Sequence, residues 1–231
     1  MLKNMKIRSC ALAIIACSAN SAMAADSVDV HVIGTITPAA CTPTLSGGGN
    51  VDYGTIQANT LSKTDYTVLA EKTLDMSITC DAPVKVAVKA INGRPNSAAG
   101  STEGAAGFGV SPVSLGSKGA AHVAGLGLDG TTKVGGYNIA FATSGNTLDG
   151  ASAGTLISDD NGTSWAQGTD AMNDSAVRYI SWGNEGSNDV KAFTTMNGKL
   201  LVQGYINKAS ELDLSKPVAL DGLTTIEIVY L

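Results

Sequence analysis

The chain has 231 residues, of which 44% are hydrophobic and 15% charged, and its formal net charge is −5. It carries no basic stripe with interleaved aromatic residues, which argues against nucleic-acid binding. No apolar run approaches the length of about 18 residues that a membrane-spanning helix needs. The acidic balance mainly favours solubility.

The first 24 residues have the pattern of a secretory signal peptide. Lys3, Lys6 and Arg8 form a basic start, a short apolar run follows, and residues 22–24 (Ala-Met-Ala) form a small-x-small cleavage site. We therefore expect export after removal of these 24 residues, which leaves 231 − 24 = 207 residues. This length suits one domain with long loops or two small domains. The mature charge is −8, because 12 basic and 20 acidic residues remain.

Cys41 and Cys80 are the two cysteines that remain after cleavage. In an oxidising compartment we expect them to form one disulfide bond, because only one pairing is possible. The bond closes a loop of about 40 residues, which stabilises a fold by about 4 kcal/mol. The alternative is a zinc site that includes His31 and His122, although the closely spaced ligand pairs typical of zinc sites are missing.

Apolar residues recur at every second position through much of the chain, a pattern typical of half-buried β-strands. The segments with this pattern are KTLDMSITC (72–80), PVKVAVKAI (83–91), YNIAFAT (137–143), AVRYISW (176–182) and KLLVQGYINK (199–208). Clusters of Gly, Asn, Ser and Asp separate them, and no segment has a sustained helical period. We therefore predict an all-β fold, an antiparallel β-sandwich.

Residues 92–135 and 143–175 are rich in Gly, Ser, Ala, Thr and Asn. This composition does not favour a continuous core strand, so we predict long surface loops that contain at most short hairpins. Such loops either carry a binding function or are tolerated insertions. The sequence leaves both interpretations open.

The segment SDDNGTSW (158–165) resembles the Asp-box of sialidases and other β-propellers, where it forms a structural turn between two strands. We predict a β-hairpin tip in which Asp160 accepts backbone N–H bonds, Gly162 takes a positive φ and Trp165 packs beneath the turn. The alternative is a calcium site with three neighbouring ligands: Asp159, Asp160 and Asn161. The other ligands of a calcium loop are missing.

No group of residues has the pattern of an active site. His31 and His122 lack a neighbouring nucleophile motif, and the adjacent carboxylates Asp159 and Asp160 have no sign of an acid and base role. The two remaining cysteines are expected in the disulfide. We therefore predict no enzymatic activity, no catalytic residues, no metal site and no cofactor.

The two ends of the mature chain carry alternating strand patterns. One face of the arm at residues 25–37 holds Val28, Val30, Val32, Gly34 and Ile36, and one face of the last segment, LTTIEIVYL, holds Ile226, Ile228 and Tyr230. A sandwich that lacks its last strand leaves an apolar groove, and an arm from another molecule can fill it as an added strand. Burial of the four large apolar side chains of the arm contributes about 6–12 kcal/mol before costs.

Together these features resemble subunits of chaperone–usher fimbriae, in particular the β-type fimbrial proteins. The resemblance rests on the signal peptide, the alternating arm with Gly34, the cysteine contexts TPAACTP and MSITCDAP, and the penultimate Tyr230. The stretch GTITPAACTPTLSGGGNVDYGTI (34–56) and the turn DNGTSW (160–165) resemble the β-type pattern as well.

The resemblance implies an incomplete immunoglobulin-like β-sandwich that lacks its last strand. It implies three parts: a signal peptide (1–24), a donor-strand arm (25–37) and a sandwich domain (38–231). A periplasmic chaperone would lend a strand to the groove, and at the outer-membrane usher the arm of another copy or of a related pilin would replace it. The groove would be bordered by Ile226, Ile228 and Tyr230, and basic residues of the chaperone would hold the carboxylate of Leu231.

The implied function is that of a structural subunit that polymerises into a fimbria on the bacterial cell surface, for adhesion. The alternative is a minor or tip-proximal subunit that binds a host glycan or protein through loops 92–175. The chain departs from the family pattern at Val218, where a glycine is common, and the nearest glycine is Gly222.

Overall fold

The computed structural model describes residues 30–35, 37, 39–116, 121–168 and 171–231. The chain divides into two compact units, Met1–Thr37 and Pro38–Leu231. In the first unit, residues 30–35 and 37 adopt no regular secondary structure. The predicted signal peptide and the arm residues Val28 and Ile36 lie outside the described residues.

Sixteen strands lie among the described residues of the second unit. They are β1 (Cys41–Leu45), β2 (Thr67–Val68), β3 (Lys72–Val84), β4 (Val86–Asn92), β5 (Gly109–Val110), β6 (His122–Gly125), β7 (Leu128–Asp129), β8 (Thr132–Lys133), β9 (Gly135–Phe141), β10 (Thr147–Leu148), β11 (Ala151–Ser152), β12 (Gly154–Ser158), β13 (Ala166–Gln167), β14 (Tyr179–Gly183), β15 (Phe193–Ile206) and β16 (Thr224–Tyr230). Short 3-10 turns occur at Ser46–Gly49, Ala58–Thr60 and Ala209–Glu211. In the part of the chain that is described, no helix has the length and apolar character needed to cross a bilayer.

Two antiparallel sheets form the body of the fold. In the first sheet the strands lie in the order β1-β3-β15-β9-β6-β5, while β2 and β10 also pair with β15 and β11 pairs with β10. In the second sheet the order is β13-β12-β14-β4-β16, and β7 and β8 form a separate hairpin. β16 therefore lies at an edge of the second sheet, with β4 as its strand partner.

Buried side chains of both sheets form one main core. Within it, Trp182 of β14 meets Phe141 of β9 and Phe193 of β15 edge to face, with ring centroids 5.3 and 6.1 Å apart. Aromatic pairs with this geometry stabilise a core beyond the area that they bury. Because inward-facing residues of both sheets share the core, the prediction of an all-β antiparallel sandwich is confirmed.

The predicted strand at residues 83–91 is in fact two strands in different sheets. Val84 ends β3 and pairs with Phe193 in the first sheet, whereas Val86 begins β4 and pairs with Tyr230 in the second. The chain passes from one sheet to the other at Lys85. The apolar alternation continues through this change of sheet, so periodicity alone does not detect it.

The prediction of long surface loops at residues 92–135 and 143–175 is only partly right. The first stretch contains β5 to β8 and the second contains β10 to β13. Part of the first stretch forms a second small core with Tyr205 of β15, whose hydroxyl donates to the Ala99 carbonyl at 2.6 Å. The small residues of this stretch allow close packing, which its composition alone does not distinguish from an exposed loop.

The predicted disulfide is confirmed. Cys41 of β1 and Cys80 of β3 lie directly opposite each other in the ladder, with their Cα atoms 4.0 Å apart and their sulfur atoms bonded. The bond ties the start of the edge strand β1 to its neighbour β3. The zinc alternative is wrong for these cysteines, because both thiols are consumed by the disulfide.

Candidate functional site

The candidate site is a groove with an apolar floor and a volume of about 1150 Å³. Its floor consists of inward-facing side chains of the first sheet: Leu74, Tyr137, Ile139, Leu200 and Val202. Pockets for small ligands usually have volumes of about 300–1,000 Å³. The size and apolar floor of the groove therefore favour an extended apolar occupant.

Two chain segments form the walls of the groove. The first wall is residues 51–56, which belong to no strand. The second wall is residues 217–226, which lead into β16 and line the groove up to Ile226. β16 pairs with β4 along one edge, and its other edge has no strand partner among the described residues. The groove thus lies beside an open strand edge.

Gly222 brings the second wall close to the floor. A methyl group on its α-carbon would lie 2.7 Å from Cε1 of Tyr137, so a larger residue would push the wall away from the ring. The hydroxyls of Tyr137 and Thr224 share a hydrogen bond of 2.6 Å, and burial raises the pKa of Tyr137. The close contact with Tyr137 thus gives Gly222 a packing role in the second wall.

An ion pair fixes the second wall from the other side. The Arg94 guanidinium donates from Nε and Nη2 to the two carboxylate oxygens of Asp221, at 2.9 and 2.8 Å. This hydrogen bonding lowers the pKa of Asp221. The Asp221 backbone N–H also donates to the Leu126 carbonyl at 2.9 Å. These bonds hold the second wall at Asp221, three residues before β16 begins at Thr224.

The end of β16 meets the start of β1. The Cys41 N–H donates to the Tyr230 hydroxyl at 2.8 Å, beside the disulfide. The structure thus brings two predicted site residues, Cys41 and Tyr230, into direct contact. Ile226 lines the groove, and Ile226 and Ile228 both pack against the main core.

The described part of the arm presents apolar side chains to solvent. Val30 is 84% exposed and Val32 is 95% exposed. Among the described residues, and apart from its chain neighbours, nothing lies within 4 Å of the position that a Cβ would occupy on Gly34. Val30 and Val32 therefore retain nearly all of their apolar surface for another contact.

Residues 158–165 form a tight turn between β12 and β13. The Asp160 carboxylate accepts from the Ser158 hydroxyl at 2.6 Å and from the backbone N–H and hydroxyl of Ser164 at 3.0 and 2.5 Å. The Ser158 hydroxyl, followed by Ser164, lowers the pKa of Asp160 to about 2. The Trp165 indole N–H donates to the Gly162 carbonyl at 3.1 Å. Both carboxylate oxygens of Asp160 accept hydrogen bonds within the turn, which favours the structural role over calcium binding.

A charged cluster lies near this turn. Arg178 pairs with Asp159 at 2.8 Å and also with Asp174, and His122 Nδ1 lies 3.7 Å from Asp174. Among the described residues, no group of three or more His, Cys, Asp or Glu side chains is arranged to hold a metal ion. The cluster therefore joins neighbouring loops by ion pairs.

Sequence reasoning found β16 but missed most residues that shape the groove. The first wall lies within the stretch matched to the fimbrial pattern, yet nothing in that pattern assigned it a role. Arg94 and Asp221 are 127 positions apart, so no local motif connects them. Gly222, the glycine nearest to the departure at Val218, is the sequence feature that could have indicated the close contact with Tyr137.

Comparisons with known proteins give two relatives and one partial family match. Protein GltF of Escherichia coli K12 is 28% identical over 247 residues, which cover 95% of each chain. Uncharacterized protein YhcF of the same organism is 42% identical over 79 residues, about a third of each chain. No solved structure matches. Residues 30–114, from the described arm through the first wall to β5, match the model of a family described as "Protein of unknown function (DUF1120)".

Proposed function

We propose that this chain is a structural subunit of a bacterial surface fimbria, in which the arm of one copy fills the groove of the next copy as an added strand. The observation that carries the proposal is the large groove with an apolar floor beside the open edge of β16. The exposed alternating arm of the same chain supplies the matching occupant.

Burial of the arm supplies the main driving force. Val30 and Val32 are almost fully exposed, and burial of each contributes about 1.5–3 kcal/mol. Val28 and Ile36 continue the same face in the sequence. If all four side chains enter the groove, the gain is about 6–12 kcal/mol before the arm's ordering entropy is subtracted. This gain supports an assembly held together without covalent bonds.

Backbone hydrogen bonds between the arm and β16 would fix the orientation of the arm in the groove. An open strand edge exposes N–H and C=O groups that readily pair with another chain. An extended peptide laid along β16 satisfies these groups, and its alternate side chains point to the apolar floor.

Assembly of such a subunit requires that the groove be covered beforehand. An exposed apolar groove beside an open edge promotes aggregation. The resemblance to chaperone–usher subunits provides the partners: a periplasmic chaperone that lends a strand, and an outer-membrane usher where the exchange takes place. The proposed location of the assembled protein is therefore a fimbria on the cell surface.

The test uses charged substitutions on the two faces of the arm. Val30→Asp and Val32→Asp place a carboxylate on the face that enters the groove, so we expect fibres on the cell surface to be lost. Ile33→Asp is the matched control, because Ile33 is also exposed, at 92%, but lies on the opposite face of the alternating arm. Electron microscopy of intact cells gives the result. Normal fibres from the Val30→Asp/Val32→Asp double variant would contradict the proposal.

A further inference from the structure

The turn at residues 158–165 lies beside the half-exposed side chain of Leu231. A methyl group on the α-carbon of Gly162 would lie 3.4 Å from Leu231 Cδ2, 3.6 Å from the Trp165 ring and 3.7 Å from the Tyr179 ring. Gly162 has a φ of +86°, which favours glycine at this position. The side chain of Leu231 thus faces a glycine that is flanked by the rings of Trp165 and Tyr179.

The turn is well suited to act as a fixed support. Asp160 accepts three hydrogen bonds from Ser158 and Ser164, and the Ser158 hydroxyl in turn accepts from the Gly162 N–H at 2.8 Å. The Trp165 indole N–H donates to the Gly162 carbonyl at 3.1 Å. These bonds hold Gly162 in place independently of β16.

Residues 230 and 231 connect this support to the groove. The Leu231 N–H donates to the Lys85 carbonyl at 3.1 Å, which extends the pairing of β16 with β4 by one residue. The Tyr230 hydroxyl accepts from Cys41 at the start of β1. β16 is an edge strand, and edge strands open more easily than strands paired on both sides. The end of β16 is therefore held by few contacts, among them the hydrogen bonds of Leu231 to Lys85 and of Tyr230 to Cys41.

We propose that the turn at residues 158–165 is a positioning element for β16. It holds Leu231 in place, and through Leu231 and Tyr230 it fixes the end of the strand that borders the groove. Its effect on strand binding rests on the proposed function, whereas its effect on the order of β16 does not. The role gives the Asp-box-like turn a structural function beyond its own hairpin.

The first experiment measures amide hydrogen exchange of residues 228–231 in the full chain. Asp160→Ala removes the acceptor that organises the turn, so we expect exchange at these amides to become about tenfold faster. Asp149→Ala is the matched control, because Asp149 accepts comparable bonds from Thr194 and Thr195 in a turn away from β16. Equal protection of residues 228–231 in both variants would overturn the proposal.

A second pair of variants tests the contact without changing the turn. Leu231→Ala removes the side chain that packs on Gly162, and we expect the same acceleration of exchange as in Asp160→Ala. Leu231→Met retains an apolar side chain of similar size and should restore protection. If Leu231→Ala leaves the exchange of β16 unchanged, the turn does not act through Leu231 and the proposal is wrong.

Binding of a synthetic peptide with the sequence of residues 25–37 separates this proposal from the proposed function. Full-length chains carrying Val30→Asp and Val32→Asp serve as the acceptor, so that their own arms do not compete. We expect Asp160→Ala to raise the peptide Kd about tenfold relative to Asp149→Ala. If the acceptor whose turn is unchanged binds no peptide, the proposed function is contradicted. The exchange measurements then still test whether the turn positions β16. An unchanged Kd in Asp160→Ala contradicts the link between turn and groove.

Discussion

Two halves of the same core differ in what covers the first sheet. In one half, Trp182 and its neighbours on β4 and β14 cover Phe141 and Phe193 with a second layer of strands. In the other half, the same strands β3, β9 and β15 continue into the groove floor, and irregular segments at residues 51–56 and 217–223 border it. The two halves therefore differ in whether strands or irregular segments face the first sheet. We propose that the arm of another copy supplies the covering strand at the groove.

The largest expected effect is in the complete half of the core. Trp182 is fully buried between the sheets, so Trp182→Ala should lower the free energy of unfolding by about 3–5 kcal/mol. Urea denaturation measures this loss. Trp165→Ala is the control, because Trp165 is only partly buried in a turn and should cost less than half as much. Similar losses for the two variants would contradict the distinction between core and turn.

An intermediate effect is expected where the second wall contacts the groove floor. Gly222→Ala places a methyl group 2.7 Å from the Tyr137 ring, which should lower the free energy of unfolding by about 1–3 kcal/mol through overpacking. Gly154→Ala is the control, since its methyl group would meet its nearest neighbour at 3.5 Å, an ordinary contact. Thermal unfolding of both variants is the measurement. Equal stability of the two would show that the wall is free to move away from Tyr137.

The smallest expected effect is that of the ion pair on the second wall. The pKa of Asp221 is lowered from 3.8 by its hydrogen bonds to Arg94, so the pair stabilises the fold at pH values above about 4 and loses this effect as the pH falls through the lowered pKa. Asp221→Asn should reduce Tm by at most about 3 °C at pH 7, because the pair is exposed. The difference from the unmodified chain should disappear in acid. A difference in Tm between the two chains that grows as the pH falls would contradict this predicted pH dependence.

The sequence predicted the strands better than the groove. The alternating segments located β3, β9, β15 and β16, because period two directly reports a buried face. The two cysteines predicted the disulfide, because only one pairing was possible. The first wall carries no such pattern, and the contact of Gly222 with Tyr137 joins residues distant in sequence. Features of this kind arise from tertiary packing and have no local signature.

The central claim is that an arm from one copy lies in the groove of another, and cross-linking tests it most directly. A photoreactive amino acid replaces Val32 in fibres grown from a mixture of isotopically light and heavy chains, and mass spectrometry identifies the residue that becomes attached. The account predicts attachment to residues 51–56, residues 217–226 or the groove floor, with light and heavy chains joined to each other. Attachment only within one chain, or to residues outside the groove, would contradict it.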